Sequence, residues 1–215
     1  MNIVKPNLLG ALVLLAAAAG LILYEQPDVE RKWELLASTY QPRLDQREVQ
    51  LDPAELLGLM QDDYIKLLIV DVRSESDWNM FHFKDAERIP IEALPDHRDR
   101  FADLPFNAVV VLVSNDEARA TRAWQHLMAI ARPNAYILEG GLNHWLNIYG
   151  YPNDELHGDA KVNLEQADGT LRHPFRLALG SRHPAASPDP HDFPKREYKS
   201  RVTLMKKIVK KGGCG

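Results

Sequence analysis

The chain has 215 residues, 45% hydrophobic and 26% charged, with a formal net charge of −4. Those values are ordinary for a globular protein and set aside a wholly disordered chain; the length suits one domain of ordinary size with extensions. A single cysteine, Cys214, rules out an intramolecular disulfide. The charge is uneven, because residues 195–215 hold eight basic residues and one acid, a net of +7, which leaves −11 for the rest. An acidic body therefore ends in a basic tail.

The first element in chain order is apolar. Residues 6–24 are 19 uncharged residues between Lys5 and Glu25, mostly Leu, Ala, Val and Ile. At about 1.5 Å per residue they would span roughly 29 Å, close to the ~30 Å hydrocarbon core of a bilayer. The expectation is an uncleaved single-pass transmembrane anchor. A cleaved signal peptide competes, since Ala17-Ala18-Ala19 offers small residues for a peptidase, but the apolar run continues through Leu21-Ile22-Leu23-Tyr24. Basic residues on either side, Lys5 before and Arg31, Lys32 and Arg43 after, lean the soluble part slightly towards the cytoplasm without deciding the side.

Residues 25–47 read as a connecting helix or linker, with Trp33, Leu36 and Ala37 on one side of a helix over 28–40. Asp52-Pro53 is an N-cap followed by proline at the first helical position, opening a short amphipathic helix. Apolar runs then alternate with helical patterns. Strands are expected near 66–71, 86–90, 108–113 and 135–138, and helices near 75–80, 93–102, 117–131 and 141–148. Continuous apolar strands separated by helices imply an α/β sandwich around a mainly parallel sheet covered on both faces. Residues 153–215 form a proline-containing extension ending Gly212-Gly213-Cys214-Gly215, with four prolines between Pro184 and Pro194. It has no period over 180–194 and reads as an extended segment that wraps the domain or reaches a partner. Val202-Thr203-Leu204-Met205 is the one stretch with the makings of a short strand or helical turn.

Several segments stand in a telling order. Leu67-Leu68-Ile69-Val70-Asp71-Val72-Arg73 is a buried strand ending in Asp-x-Arg. After it come His82-Phe83-Lys84-Asp85-Ala86-Glu87-Arg88-Ile89-Pro90, the strand Ala108–Val113 with the loop Ser114-Asn115-Asp116-Glu117-Ala118-Arg119, then Leu138-Glu139-Gly140-Gly141-Leu142-Asn143-His144-Trp145 and Tyr149-Gly150-Tyr151-Pro152. In this order and spacing the chain resembles the rhodanese-like domain family over residues 48–152. The resemblance implies a three-layer α/β sandwich and a thiosulfate sulfurtransferase active loop, a cysteine followed by a run containing glycine and arginine. Matched position by position, the cysteine falls on Ser114, the loop glycine on Glu117 and the loop arginine on Arg119.

Sulfur transfer needs a thiolate that then carries a second sulfur, and a serine hydroxyl cannot hold one. Phosphatase chemistry of the cysteine-loop kind fails for the same reason. Asp116 and Glu117 would also repel an anion from the cradle formed by a strand, a tight loop and a helix N-terminus. Ser114 is then expected to hydrogen-bond the start of the helix. Asp71, Arg73 and His82 read as structural. His157, His173, His183 and His191 are not spaced as metal ligands, and no cofactor or metal is expected.

Two functions follow. In the first, the chain is a membrane-anchored, catalytically inactive rhodanese-like module for protein binding or sulfur-related regulation. Its partners are then the membrane, a protein, and anionic lipid at the basic tail; nucleic acid is not expected, because Tyr198 is the tail's sole aromatic. In the second, Cys214 is a distal thiol that accepts sulfur. The glycines around it make a flexible arm, and Lys210 and Lys211 would lower its pKa.

Overall fold

The computed structural model describes residues 28–150, 168–173, 175 and 177–204. The apolar stretch 6–24 and Cys214 lie outside the described residues. Among those described, no helix is long and apolar enough to cross a membrane.

Five parallel strands form one sheet: β1 (Gln50–Leu51), β2 (Lys66–Asp71), β3 (Glu87–Arg88), β4 (Ala108–Val113) and β5 (Ala135–Leu138), in the order β1-β5-β4-β2-β3. The middle strand is β4, and all six residues of its Ala-Val-Val-Val-Leu-Val run are buried. A strand packed on both faces needs no alternation, so a continuous branched apolar run is what this position selects. The expected parallel α/β sandwich is therefore the observed one. β3 is shorter than the 86–90 run suggested, and β1 was not foreseen, because two residues carry no readable period.

The helices are α1 (Val29–Asp45), α2 (Pro53–Met60), α3 (Glu75–Met80), α4 (Arg98–Ala102), α5 (Glu117–Ile130) and α6 (Gly141–Tyr149). The helix expected over 93–102 is divided. Ile91–His97 is a 3-10 turn containing Pro95, and only Arg98–Ala102 is α-helical. Proline cannot donate to a helical carbonyl, which favours the break. Asp52 caps α2 as its sequence promised, accepting from Ala54 N at 2.7 Å. Pro53 takes the first helical position.

The sheet has two apolar coats. On one side α1 and α5 pack, with Trp124, Leu127 and Phe101 buried among Val70, Val110 and Ile137. Here α1 is more than a connector, because Trp33 and Tyr40 meet the Trp124 ring edge-on at 6.1 Å each. On the other side α2 and α6 pack, with Leu56, Trp145 and Tyr149 in the core, and residues of the extension complete it.

From 177 to 204 the chain contains two short 3-10 turns, Pro184–Ala186 and Pro190–Asp192. Residues 202–204 are neither strand nor helix. Specific anchors hold this segment. Trp145 Nε1 donates to Ala185 O at 2.8 Å, and Lys84 N to Ala186 O at 3.0 Å. The buried Glu55 carboxylate accepts from Ser200 Oγ (2.7 Å), Arg201 N (2.9 Å) and Val202 N (3.0 Å).

Candidate functional site

The C-terminal ends of β2, β4 and β5 converge on the loop Ser114–Arg119. β4 delivers Ser114, and α5 starts at Glu117 with Asp116 as its N-cap. Ser114 is 1% exposed. Its hydroxyl donates to Asp116 O and accepts from Ala120 N at 3.0 Å. The Ser114 side chain is thus bonded to the helix start, as the sequence suggested.

The loop backbone is held from outside. Leu142 N donates to Ser114 O at 2.9 Å and Asn143 N to Asn115 O at 3.0 Å. This contact needs glycine at 141. Gly141 has φ +63, and a Cβ there would come within 2.6 Å of Ser114 O and 2.7 Å of Asn115 O. Those distances are sub-van der Waals against fixed backbone, so only glycine lets α6 start so close.

Asp71 and Arg73 are the structural pair expected. Both are 1% exposed, joined at 2.6 Å. Arg73 also donates to Phe81 O and to Asn115 Oδ1, the latter at 3.0 Å. It therefore ties the end of β2 to the loop and leaves no free guanidinium to receive an anion. His82 is structural too: its ring stacks on Trp78 at 3.7 Å and its Nδ1 bonds Trp78 O at 2.8 Å.

The acidic loop residues differ from the expectation. Glu117 turns away from the cradle. Its carboxylate accepts from Arg47 (2.8 Å) and from Gly140 N (2.8 Å). Arg47 bridges on to Glu139 at 2.9 Å, and the Glu117 hydrogen bond raises the guanidinium pKa. Asp116 does stay at the cradle, but its oxygens are engaged: Oδ1 accepts from Ala118 N at 2.9 Å and Oδ2 from Gly169 N at 2.7 Å. Arg119 reaches Val72 O with Nε at 2.6 Å and stands 3.6 Å from Glu92. Ala118 lines the cleft beside it.

Gly169 belongs to the extension, and sequence reasoning did not place it here. Asn115 Nδ2 donates to Gly169 O at 2.9 Å and to Asp77 Oδ2 at 3.0 Å. Asn143 Nδ2 donates to Thr170 O at 2.9 Å, while its Oδ1 accepts from Arg172 N at 2.8 Å. Two asparagine amides and Asp116 therefore read the backbone of residues 169–172. The segment is shaped by an Asx turn in which Asp168 Oδ1 accepts from Thr170 Oγ1 (2.7 Å) and Thr170 N (3.0 Å). Those bonds, with Arg172 alongside, hold the exposed Asp168 carboxyl down at about 2. The Asp-Gly dipeptide was the one sequence signal of this turn. Asn143 lies in the Leu138–Trp145 segment, where nothing local in the sequence signals this role.

Beside the loop a cleft of about 450 Å³ remains, lined among others by Ser74, Asp77, Arg119, Arg122 and Asp168. Its three arginines, Arg73, Arg119 and Arg122, share the lining with carboxylates of Asp77, Asp116 and Asp168, so it lacks the uniform positive field an anion requires.

Residues 52–148 match the family model of the rhodanese-like domain. Solved structures similar to this chain include a rhodanese-like domain protein from Staphylococcus aureus, at 26% identity over 45% of this chain and 89% of that one, with a TM-score of 0.38. A single domain sulfurtransferase from Saccharomyces cerevisiae is 20% identical over 45% of this chain and 86% of that one, with a TM-score of 0.37. The rhodanese-like domain of an Anabaena protein is 21% identical over 59% of this chain and 98% of that one, with a TM-score of 0.41. No curated protein matches the chain.

Proposed function

Because residues 52–148 form a rhodanese-like domain, we propose that the chain is a catalytically silent version of that domain, held at a membrane by residues 6–24 and used for binding a protein partner. The observation that carries this reading is Ser114. A hydroxyl replaces the thiol, it is buried, and both of its hydrogen-bonding roles are filled by Asp116 O and Ala120 N. Serine cannot become a persulfide, and no described histidine is hydrogen-bonded to it as a base. The second support is occupancy. Where a substrate would approach the loop, the chain lays its own residues 169–172, fixed through Asn115, Asp116 and Asn143. The basic residues of 195–215 give this module a means of contacting anionic lipid.

The test is intact-protein mass spectrometry after incubation with a sulfane-sulfur donor, together with thiosulfate:cyanide turnover, on the native chain and on Cys214→Ser. The expected result is no sulfur on loop residues and no turnover by Cys214→Ser. Ser114→Cys alone is expected to restore little activity, because the new thiol would sit under the same buried cap with Asp116 beside it. A loop persulfide, or substantial turnover without Cys214, sinks the reading. A gain of one sulfur that vanishes in Cys214→Ser would instead make the chain a carrier using its tail thiol.

A further inference from the structure

The N-terminal ends of the parallel strands form the pole opposite the Ser114–Arg119 loop. α1 begins at this pole, where Glu30 stands 3.7 Å from His126 near the end of α5. The described part of the extension finishes there too. Thr203 O accepts from Asn134 Nδ2 at 3.0 Å, and Thr203 N donates to Tyr136 Oη at 3.0 Å, with Asn134 immediately before β5. Beside these contacts lies a groove of about 430 Å³. Leu36, Ala129 and Ile130 give it apolar walls, and Lys32, Arg98 and Arg132 give it cations. Leu35, 75% exposed, is the most exposed large hydrophobic residue described and stands in the same lining.

One of the three cations has a carboxylate partner in place, and two do not. Arg98 Nε donates to Ile130 O at 3.2 Å, and Nη1 meets the exposed Asp99 at 3.1 Å. Among the described residues, Lys32 and Arg132 form no ion pair. A protruding leucine set among cations over an apolar floor is the composition of a surface that enters a headgroup layer: the apolar side chain gains by burial and the cations by meeting anionic lipid.

We infer that this pole docks onto an anionic bilayer surface, with Leu35 entering the interface and Lys32, Arg98 and Arg132 contacting lipid phosphates. The inference rests on the anchor reading above for where the bilayer lies. Residues 25–27 join the apolar stretch to Asp28, the N-cap of α1, and three residues reach at most about 10 Å. The start of α1 is then within that distance of the bilayer. Lys206, Lys207, Lys210 and Lys211 follow Leu204 in sequence, so both connections of the body leave from this pole. The loop, about 20 Å away along β4, faces away from the lipid.

The test uses the full chain carrying Cys214→Ser and Leu35→Cys, labelled with an environment-sensitive fluorophore. It is reconstituted in vesicles of phosphatidylcholine alone or with one-third phosphatidylglycerol. Alkaline carbonate extraction separately reports whether residues 6–24 hold the chain in the bilayer. The expected result is a blue shift that requires phosphatidylglycerol and disappears in high salt. Adding Lys32→Glu, Arg98→Glu and Arg132→Glu should abolish it, since each cation near an anionic surface strengthens adsorption roughly fivefold. A label at Glu75→Cys, beside the loop, should not shift. Near-ultraviolet circular dichroism establishes that the charge-reversed chain keeps its core. A carbonate-resistant chain without the lipid-dependent shift overturns the docking pole, as does a shift that survives the charge reversals. A chain released by carbonate that still shifts sinks the anchor and supports the pole. Release with no shift overturns both.

Discussion

The two faces of the sheet are covered in different ways. On one face α1 and α5 lay down periodic apolar stripes, and, apart from the helix ends and Pro42, their backbone groups pair within each helix. On the other face α2 and α6 leave part of the work to residues 177–204, which have no helix or strand beyond two 3-10 turns and one isolated bridge at Gly180. Such a chain has no internal ladder, so each polar backbone group it buries needs an individual partner. Glu55 and Trp145 are such partners, and Asn143 does the same for residues 170–172 just before. A regular cover depends on the sum of many apolar contacts, whereas an irregular one depends on a few polar anchors that a single substitution can remove.

The difference can be sharpened by mutation. The largest effect is expected for Trp145→Ala, which empties a fully buried indole site and leaves Ala185 O without its donor. Chemical denaturation should show a loss of about 3–5 kcal/mol. Glu55→Ala comes next. It strands Ser200 Oγ, Arg201 N and Val202 N together, at a cost of roughly 2–3 kcal/mol. Its signature should be local, with new protease cleavage in 195–204 while α1 and α5 stay protected. Equal loss of protection on both faces would break the comparison. Asn143→Ala removes both of its bonds to residues 170–172 and should cost about 1–2 kcal/mol, read as faster amide exchange at Gly169 and Arg172.

The smallest expected effect lies on the regular face and is a pH effect. Burial lowers the His126 pKa below its usual 6.5, against the pull of Glu30. A folded-state pKa lowered in this way contributes stability that is complete above 6.5 and fades as pH falls through the folded value. Melting temperature should therefore drop slightly on acidification below 6.5, and His126→Gln should flatten that part of the profile. A profile that is unchanged by the substitution would contradict it.

What the sequence made legible follows the same division. Val109 to Val113 and the 117–130 helix were readable because burial on two faces and on one stripe leaves a continuous run and a 3.6-residue period. The Asp52-Pro53 cap was readable because its chemistry is local. The anchoring of residues 169–172 and 200–203 was not, because it depends on Glu55 and Asn143 meeting backbone groups far away in sequence, and backbone groups carry no residue signature. At the loop, Ser114 bonding the helix start was legible from its position. The turning of Glu117 towards Arg47 and Gly140 was not, since the pairing spans seventy positions.

The close approach at Gly141 separates shape from chemistry. The carbonyls of Ser114 and Asn115 are pinned by amides of α6 rather than by the loop's own side chains. The path of the backbone is thus cast by a neighbouring mould, and the outline of residues 114–119 does not depend on the chemistry of the side chains they carry. Installing new chemistry here would be a matter of changing and uncovering side chains, with no need to rebuild the curve that carries them.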